Sequence, residues 1–288
     1  MENQLFSEDA LSIIARFEAW NIVSTAFPSE VSDIENSNHK KWMLHNSHTH
    51  DFAEFLFALK GNSVIGFEKR VYPVAPGSIF VFNPNEEHDN RFPTGSPDVQ
   101  QLWVQILRDH FFARMINVCN GKMQHPPVWN VVCTREETGI ENHWPFGELD
   151  NSNLPDNIRR LTLQSTIAIL LSTVVKKGYL SELDGTGSIQ AEVVRAIKKH
   201  VRNTAGTGAA LDYLAHMTGY NKYHLLRVFR KHTGITIHEY ADTCRLEKVE
   251  DMRAMGYSQA RIADELGFAC ASSFARWYKQ NKGENSKW

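Results

Sequence analysis

The chain has 288 residues, of which 42% are hydrophobic, and its 31 basic and 33 acidic side chains give a net charge of −2. This length suits two ordinary domains, and the composition excludes an intrinsically disordered chain. No apolar run reaches the ~20 residues that span a bilayer, and the acidic start is unlike a secretory signal, so we expect a cytoplasmic protein without a membrane partner. The four cysteines form no CxxC pair, which argues against a disulfide framework or a structural zinc site.

The first half of the chain is rich in short strand-like segments. Residues 54–61, 63–74, 77–84 and 99–107 are dense in Val, Ile, Phe and Trp, with Gly, Pro and Asn between them. Short strands separated by turns, with few helical intervals, predict a sandwich or a barrel.

A histidine-rich motif lies at the start of this region. His48, His50 and Glu54 have the spacing His-x-His-x3-Glu, and His88 follows a later strand and turn. Alternate residues of a strand point to the same side, so the first three are predicted to face inward together. Three imidazoles and a carboxylate suit a first-row divalent metal.

The order and spacing of these residues resemble the two motifs of the cupin superfamily, over about residues 41–107. The resemblance implies that His48, His50, Glu54 and His88 could hold Zn, Ni, Fe or Mn. It equally implies a sensor barrel in which the same side chains bind an organic effector without a metal, and both alternatives stay open. Trp103 and Gln105 are two positions apart on a later strand, so their side chains point to the same side, and we expect them to line the same pocket. The aromatic face of the first and the polar tip of the second suit a sugar.

A long apolar segment follows the strands. Residues 154–179 place apolar side chains at helical spacing, which predicts either a helix packed on its own barrel or a dimerisation helix. Residues 181–187 are polar, contain two glycines and are the predicted linker. The predicted domains are therefore 1–180 and 188–288.

Charge divides unevenly between these domains. From Ser188 onward there are 16 basic and 10 acidic residues, whereas the preceding part has 15 and 23. A basic segment attached to an acidic body favours a module that binds a polyanion such as nucleic acid.

Two similar helix-turn-helix patterns lie in this basic segment. In the first, Ala215 and Gly219 are four positions apart, and an apolar residue follows six positions later. A small residue lets two helices cross, a glycine accepts the left-handed turn, and the apolar residue packs the second helix onto the first. In the second, Ala263 and Gly267 repeat the spacing, and Phe274 is the apolar residue, one position later than in the first copy, where Ser273 stands at the matching register. A repeated pattern is far more specific than either copy alone.

Residues 188–288 resemble the DNA-binding domain of the AraC/XylS family of bacterial regulators. The tracts that carry this resemblance are YHLLRVFRKHTGITIHEYADTCRLEKVED and IADELGFACASSFARWYKQNKG, which a predicted helix over 237–255 connects. The sequence departs from the family pattern in its aromatic-rich Arg276–Lys279 stretch and in lacking a proline-containing ending. This family often carries a cupin-like N-terminal barrel, so the two resemblances support each other.

The resemblance implies that each recognition helix enters a major groove, where its first residues read bases and flanking cations bind phosphates. The candidate DNA-binding residues are Lys222, Tyr223, His224, Arg227, Arg230 and Lys231 in the first unit, and Ala271, Ser272, Ser273, Arg276 and Lys279 in the second.

The expected fold class is α+β multidomain, with an N-terminal cupin-like β-barrel and helices, and a C-terminal all-α domain with two helix-turn-helix units. The leading hypothesis is a homodimeric transcription activator that binds double-stranded DNA, responds to a small-molecule effector such as a sugar, contacts RNA polymerase and has no catalytic residues. Two alternatives are a metal-dependent cupin enzyme fused to a DNA-binding domain, and a constitutive DNA-binding protein whose barrel only dimerises.

Overall fold

The fold is taken from a computed structural model that describes residues 6–89, 92–107, 110–124, 129–138, 154–183 and 189–282. The chain divides into two compact units, Met1–Ile189 and Gln190–Trp288. The first unit is rich in β-strands and the second is helical, so the expected α+β multidomain fold class is confirmed.

The first unit has two sheets. Its described strands are β1 (Asn21–Val23), β2 (Ser47–His48), β3 (Ala53–Lys60), β4 (Ser63–Phe67), β5 (Arg70–Val74), β6 (Ser78–Phe82), β7 (His88–Asp89), β8 (Val99–Ile106), β9 (His110–Cys119), β10 (Lys122–Met123) and β11 (Trp129–Thr134). The larger sheet has the order β1-β6-β3-β8-β9-β10, with β11 also paired to β9, and the smaller sheet has the order β2-β7-β4-β5. β1 and β6 run parallel, and the other described pairs are antiparallel.

One hydrophobic core lies between the two sheets. Leu56, Phe80 and Phe82 of the larger sheet pack in the same cluster as Ile65 and Phe67 of the smaller one. β3 and β6 are buried along almost their whole length, because the opposite face of the larger sheet is covered as well. A strand buried on both faces reads as a continuous apolar run, as both of these do in the sequence.

Helices cover the outer face of the larger sheet. The helices of this unit are α1 (Glu8–Ala15), a 3-10 turn (Phe17–Ala19), α2 (Ser37–Asn46), α3 (Arg135–Thr138) and α4 (Asp156–Leu183). Leu163, Ile167, Leu170 and Val174 of α4 are fully buried in the outer core, together with side chains of β3, β8, β9 and β11. The first interpretation of this segment, a helix packed on its own barrel, is therefore confirmed.

α4 also corrects the expectation that no segment could span a bilayer. Over Asp156–Leu180 this helix is long and apolar enough to cross a membrane by length and composition alone. Because its core-facing side chains pack on the sheet, the apolar character of this helix has a structural explanation.

The second unit consists of six described helices. They are α5 (Ile189–Asn203), α6 (Leu211–Thr218), α7 (Lys222–Thr233), α8 (Ile237–Ala254), α9 (Gln259–Glu265) and α10 (Ala271–Lys282), where α5 precedes the first helix-turn-helix pattern. The helix predicted over 237–255 is α8, which begins with a capping box between Thr236 and Glu239.

The predicted linker is only partly described. α4 continues to Leu183 and so includes residues 181–183, whereas residues 184–188 lie outside the described part of the chain. The linker stays a prediction for those residues.

Candidate functional site

The first helix-turn-helix unit is built from α6 and α7. Gly219 ends α6 with φ +69°, the left-handed conformation for which a glycine is favoured. Asn221 caps α7, because its side chain accepts a hydrogen bond from the backbone N–H of His224 at 2.8 Å. Leu225 and Phe229 are fully buried and hold α7 against the rest of the domain.

The opposite face of α7 presents most of the predicted DNA-binding residues. Tyr223 is 87% exposed at the first turn, and Lys222, Arg227, Arg230 and Lys231 are also exposed. His224 is half-buried: its ring stacks on Tyr220, and its Nδ1 accepts a hydrogen bond from Arg227 at 3.1 Å. Lys222 forms an ion pair with Asp212 of α6. The face is basic and carries one prominent aromatic ring, which suits phosphate and base contacts.

The second helix-turn-helix motif, formed by α9 and α10, repeats this construction. Gly267 has φ +71°, and Phe274 is fully buried, so it occupies the packing position expected from the sequence. Ala271, Ser272, Arg276 and Lys279 are exposed along one face of α10. Ser273 is half-buried, and its hydroxyl donates a hydrogen bond to the Cys270 carbonyl at 2.7 Å, so it helps to shape the start of the helix.

The aromatic stretch that departs from the family pattern anchors α10 to α8. The Trp277 indole donates a hydrogen bond to Asp242 at 2.9 Å. The Tyr278 hydroxyl donates to Glu250 at 2.9 Å and accepts from Arg253 at 2.7 Å. The sequence analysis assigned no role to Trp277 and Tyr278. Their aromatic side chains, next to the exposed cations of α10, are the sequence feature that could have indicated a packing role.

α8 connects the two recognition helices within one domain. Its 18 residues make it about 27 Å long at ~1.5 Å per residue. Successive major grooves on one face of B-DNA are about 34 Å apart, so a connection of this length is compatible with two grooves.

In the first unit, the three predicted histidines converge at one place in the barrel. The ring centroids of His48 and His88 are 4.5 Å apart, and those of His50 and His88 are 5.0 Å apart. Glu54 Oε2 lies 3.1 Å from His50 Nε2 and 3.5 Å from His88 Nε2. The sequence thus predicted correctly which residues meet.

The structure brings these residues together differently from the prediction, which placed His48, His50 and Glu54 on one face of a single strand. His48 lies on β2 of the smaller sheet and Glu54 lies on β3 of the larger one, while His50 lies between those strands. The residues therefore do not share one strand face. They meet because the chain passes from one sheet to the other at residues 49–52.

Backbone carbonyls hold the Nδ1 atoms of two of the imidazoles. His50 Nδ1 lies 2.7 Å from the Phe52 carbonyl oxygen, and His88 Nδ1 lies 3.0 Å from that of Glu86. A carbonyl only accepts, so each Nδ1 carries a proton, and each Nε2 is directed towards the Glu54 carboxylate.

An imidazole nitrogen and a carboxylate oxygen this close together are bridged by a proton or by a metal ion. The ligand atoms of His48, His50 and His88 lie within 4.8 Å of one another. Backbone carbonyls that hold Nδ1–H are the partners typical of metal-ligating histidines. The residues present therefore fit a divalent metal.

The predicted pocket residues Trp103 and Gln105 lie on the same face of β8 as this cluster. Glu54 pairs directly with Gln105 across β3 and β8, and all three side chains are at most 1% exposed. Trp103 packs against Phe82, with ring centroids 6.2 Å apart, and donates its indole N–H to Gln101 at 3.0 Å.

Sequence reasoning missed a buried cation beside them. Arg114 of β9 pairs directly with Trp103, is 2% exposed, and lies 3.8 Å from Glu54. Burial lowers the pKa of its guanidinium, and the charge of Glu54 opposes that shift. A lone arginine in the apolar run of residues 111–118 is the signal that could have identified it.

A second buried pair supports the wall of this site. His39 of α2 lies 2.8 Å from Asp89, which also accepts a hydrogen bond from the Gly66 backbone at 2.7 Å. Burial raises the pKa of Asp89, while the hydrogen bond and charge of His39 oppose the shift. The pair ties α2 to β7, the strand that also carries His88.

Comparisons with known proteins agree with this division. Residues 37–118 match a family described as the AraC-like ligand binding domain, and residues 214–286 match a helix-turn-helix domain family. No solved structure matches the chain.

Several relatives are described as regulators. The uncharacterized HTH-type transcriptional regulator YbfI of Bacillus subtilis is 22% identical over 225 residues, 77% of this chain and 78% of the relative. The Msm operon regulatory protein of Streptococcus mutans is 22% identical over 130 residues, 45% of this chain and 47% of the relative. The HTH-type transcriptional activator AarP of Providencia stuartii is 30% identical over 95 residues, 33% of this chain and 70% of the relative.

Proposed function

The chain belongs to the AraC family of helix-turn-helix transcription regulators, and we propose that it activates transcription when a small molecule binds in its N-terminal barrel. Family membership confirms the regulator hypothesis that was drawn from the sequence. The effector, the direction of regulation and the assembly are the proposed part.

The observation that carries the proposal is the repeated pair of exposed basic recognition helices. Each follows a left-handed glycine turn, and each presents an arginine, Arg227 or Arg276, away from the core. Two such helices on one domain would read a non-palindromic site of about twenty base pairs, one half in each of two successive grooves.

The first experiment is selection of genomic DNA fragments by the full-length protein, with sequencing of those retained over a range of salt concentrations. We expect an enriched motif with two elements about one helical turn apart. The double variant Arg227→Ala/Arg276→Ala should lose the motif, and Lys60→Ala, an exposed cation of the first unit, should keep it. Retention of random fragments with a steep salt dependence and no motif would contradict sequence-specific regulation.

We assign the barrel a sensory role. Its buried Trp103, Gln105, Glu54 and histidines combine an aromatic surface with polar groups, the chemistry that suits a sugar-like effector. Control by such a ligand requires that it bind one DNA-binding state more tightly than the other. Operator affinity measured with and without candidate effectors tests this, and unchanged affinity over a metabolite panel would favour the constitutive alternative.

The second candidate function is a metal-dependent cupin enzyme fused to the DNA-binding domain. It is favoured by the Nε2 atoms of His50 and His88, which converge on the Glu54 carboxylate while their Nδ1 atoms donate to backbone carbonyls. Elemental analysis of the purified protein, followed by assays of the metal-loaded form for turnover, separates the two functions. Stoichiometric metal without turnover would keep the sensory role, and turnover that is lost in Glu54→Gln would support the enzyme.

We further propose that the protein is a cytoplasmic homodimer that contacts RNA polymerase. The supporting feature for the dimer is the second apolar face of α4, where Ile158, Leu161 and Leu180 are 42%, 59% and 49% exposed. Contact with RNA polymerase follows from the proposed activator role, and the activator AarP is among the relatives. Transcription reconstituted in vitro with purified polymerase tests that contact.

A further inference from the structure

A groove with a volume of about 440 Å³ lies between α5 and the first half of α8, within the C-terminal helical unit. Its floor is formed by Ala191, Val194 and the ring of Tyr240. Tyr240 is 7% exposed, and its hydroxyl donates to the Lys198 carbonyl and accepts from Arg202, each at 3.4 Å. The groove therefore has an apolar floor whose aromatic ring is attached to α5.

The rim of the groove is a row of cations on one face of α5. Arg195, Lys198, Lys199 and Arg202 line it, at the spacing i, i+3, i+4 and i+7 that places side chains on the same side of a helix. Arg195, Lys198 and Arg202 are exposed. The row extends over about 10 Å at ~1.5 Å per residue, so it forms one cationic edge along the apolar floor.

Neighbouring carboxylates leave this cationic row accessible. Arg195 pairs with Glu192, and Arg202 lies 3.6 Å from Glu247, yet the two arginine side chains are 60% and 58% exposed. Exposed ion pairs are weak because water screens them, so the carboxylates of a partner can compete for these arginines. The Lys198 ammonium lies 5.5 Å from the centre of the Tyr240 ring, which places a cation directly over the floor.

The groove lies away from the side chains proposed to read DNA. Tyr240 packs against Phe229, with ring centroids 5.9 Å apart. Phe229 is on the buried face of α7, whereas Tyr223 and Arg227 are on its exposed face. The floor of the groove is therefore behind the recognition helix, and a partner bound there leaves the DNA-reading face free.

We propose that this groove is the surface through which the protein contacts RNA polymerase, and that it takes an acidic amphipathic segment of the polymerase. The apolar side chains of that segment lie on the Tyr240 floor, and its carboxylates pair with the cationic row. The positive charge of the row is the reason for an acidic partner, because complementary charges steer association and fix its register. A helix that lies in a groove uses anchors at i, i+3, i+4 and i+7, the same repeat as the cations of α5. This inference rests on the proposed activator role and names the surface and the partner chemistry which that role needs.

The first test measures polymerase binding by the full-length protein on a labelled operator fragment that contains no promoter. Purified RNA polymerase is titrated onto this complex, and fluorescence anisotropy reports its binding. Lys198→Glu should weaken polymerase binding by about tenfold or more, because it places like charges opposite each other, and Lys198→Gln should weaken it by about threefold. Lys248→Glu makes the same change of charge at an exposed position of α8 outside the groove lining, and should leave binding unchanged.

A photo-reactive amino acid placed at position 198 identifies what occupies the groove. We expect a crosslink to a polymerase segment rich in Asp and Glu. A crosslink to a polymerase segment without acidic residues contradicts the assignment, and so does a crosslink to the operator. DNA has a second readout: if Lys198→Glu lowers the slope of log operator affinity against log salt by about 1 and Lys248→Glu does not, the row binds phosphates and the inference falls. Because Lys198 is exposed, both of its variants should melt at the wild-type temperature.

Transcription in vitro separates this inference from the function on which it rests. If the wild type and Lys198→Glu activate equally at saturating operator occupancy, the groove is not the polymerase contact and the activator role stands. A wild type that neither binds polymerase nor activates transcription would overturn both the groove assignment and the activator role. Sequence-specific DNA binding is judged by the operator selection, which needs no polymerase.

Discussion

The indole N–H of Trp277 on α10 donates a hydrogen bond to Asp242 on α8 at 2.9 Å, so the second recognition helix is joined to the connecting helix by a polar contact. Trp277 also packs against Phe268, with ring centroids 5.3 Å apart. Because Trp277 directly follows the exposed Arg276 and lies within one helical turn of Lys279, the contact helps to set the direction in which their side chains point.

Trp277→Phe should therefore weaken both folding and DNA binding. The variant keeps an aromatic ring but loses the hydrogen bond to a carboxylate, which we expect to cost roughly 1–2 kcal/mol because Asp242 is partly exposed. Urea unfolding measures the stability, and operator titration measures the affinity. Phe17→Tyr is the control, since this aromatic residue is 53% exposed and lies in the N-terminal unit, away from the DNA-binding residues. Wild-type values for both quantities in Trp277→Phe would contradict the anchoring role.

The helices and turns of the second unit could be predicted closely from the sequence, because their signals are local. Gly219, Asn221 and Gly267 specify the turns through φ and capping, which depend on few neighbours. The roles of Trp277 and Tyr278 could not be predicted in the same way. Their partners lie 35 and 28 residues away, and only the packed helices bring them together.

The barrel site was predicted less completely. The spacing of His48, His50 and Glu54 identified residues that meet, but the assumption of one shared strand was wrong, since strand parity does not reveal where a chain changes sheets. Arg114 was missed because its position beside Trp103 depends on the register between β8 and β9. Register is a long-range property that the local sequence pattern does not contain.

Gly267→Ala should destabilise the C-terminal helical unit, because Gly267 lies at the turn of its second helix-turn-helix motif and alanine there would strain the backbone. Gly267 has φ +71°, and a Cβ atom added there would meet nothing within 4 Å. A non-glycine residue in this conformation costs about 1–2 kcal/mol, and Asn, which tolerates it better, should cost less. Gly206→Ala should cost more, because its Cβ would lie 2.4 Å from the Ala241 carbonyl oxygen. Chemical denaturation of the three variants checks this order, and equal losses would contradict it.

Cys270 should react as a thiolate near neutral pH. Hydrogen bonds from Ser272, and then from the backbone and side chain of Ser273, lower the pKa of the Cys270 thiol to about 7. The rate of alkylation by iodoacetamide should therefore rise through pH 7, and Ser272→Ala should move this rise to higher pH. Cys270 is exposed and immediately precedes α10, so operator DNA should slow its alkylation. Cys119, exposed in the other unit, is the internal control, and equal protection of both thiols by DNA would contradict this placement.

Arg276 and Lys279 should differ in what they contribute to DNA binding. Arg276→Ala should cost about 1–3 kcal/mol on the preferred sequence and relax the preference at one base pair, as expected for an arginine that contacts a guanine. Lys279→Ala should weaken binding to all sequences alike and lower the slope of log affinity against log salt by about 1. Competition binding on single-base operator variants measures both effects. A uniform loss for Arg276→Ala would place this residue on phosphate instead.

The exposed face of α4 should determine the oligomeric state. Ile158, Leu161 and Leu180 lie on the side opposite to the buried Ile167, so Leu161→Glu adds a charge to the proposed interface without entering the core. Sedimentation velocity should show a dimer for the wild type and a monomer for Leu161→Glu, with an unchanged melting temperature in the monomeric range of concentration. Leu44→Glu is the matched control, since Leu44 is 79% exposed on α2 and lies outside this face. A dimer that survives Leu161→Glu but dissociates in Leu44→Glu would move the interface from α4 to α2.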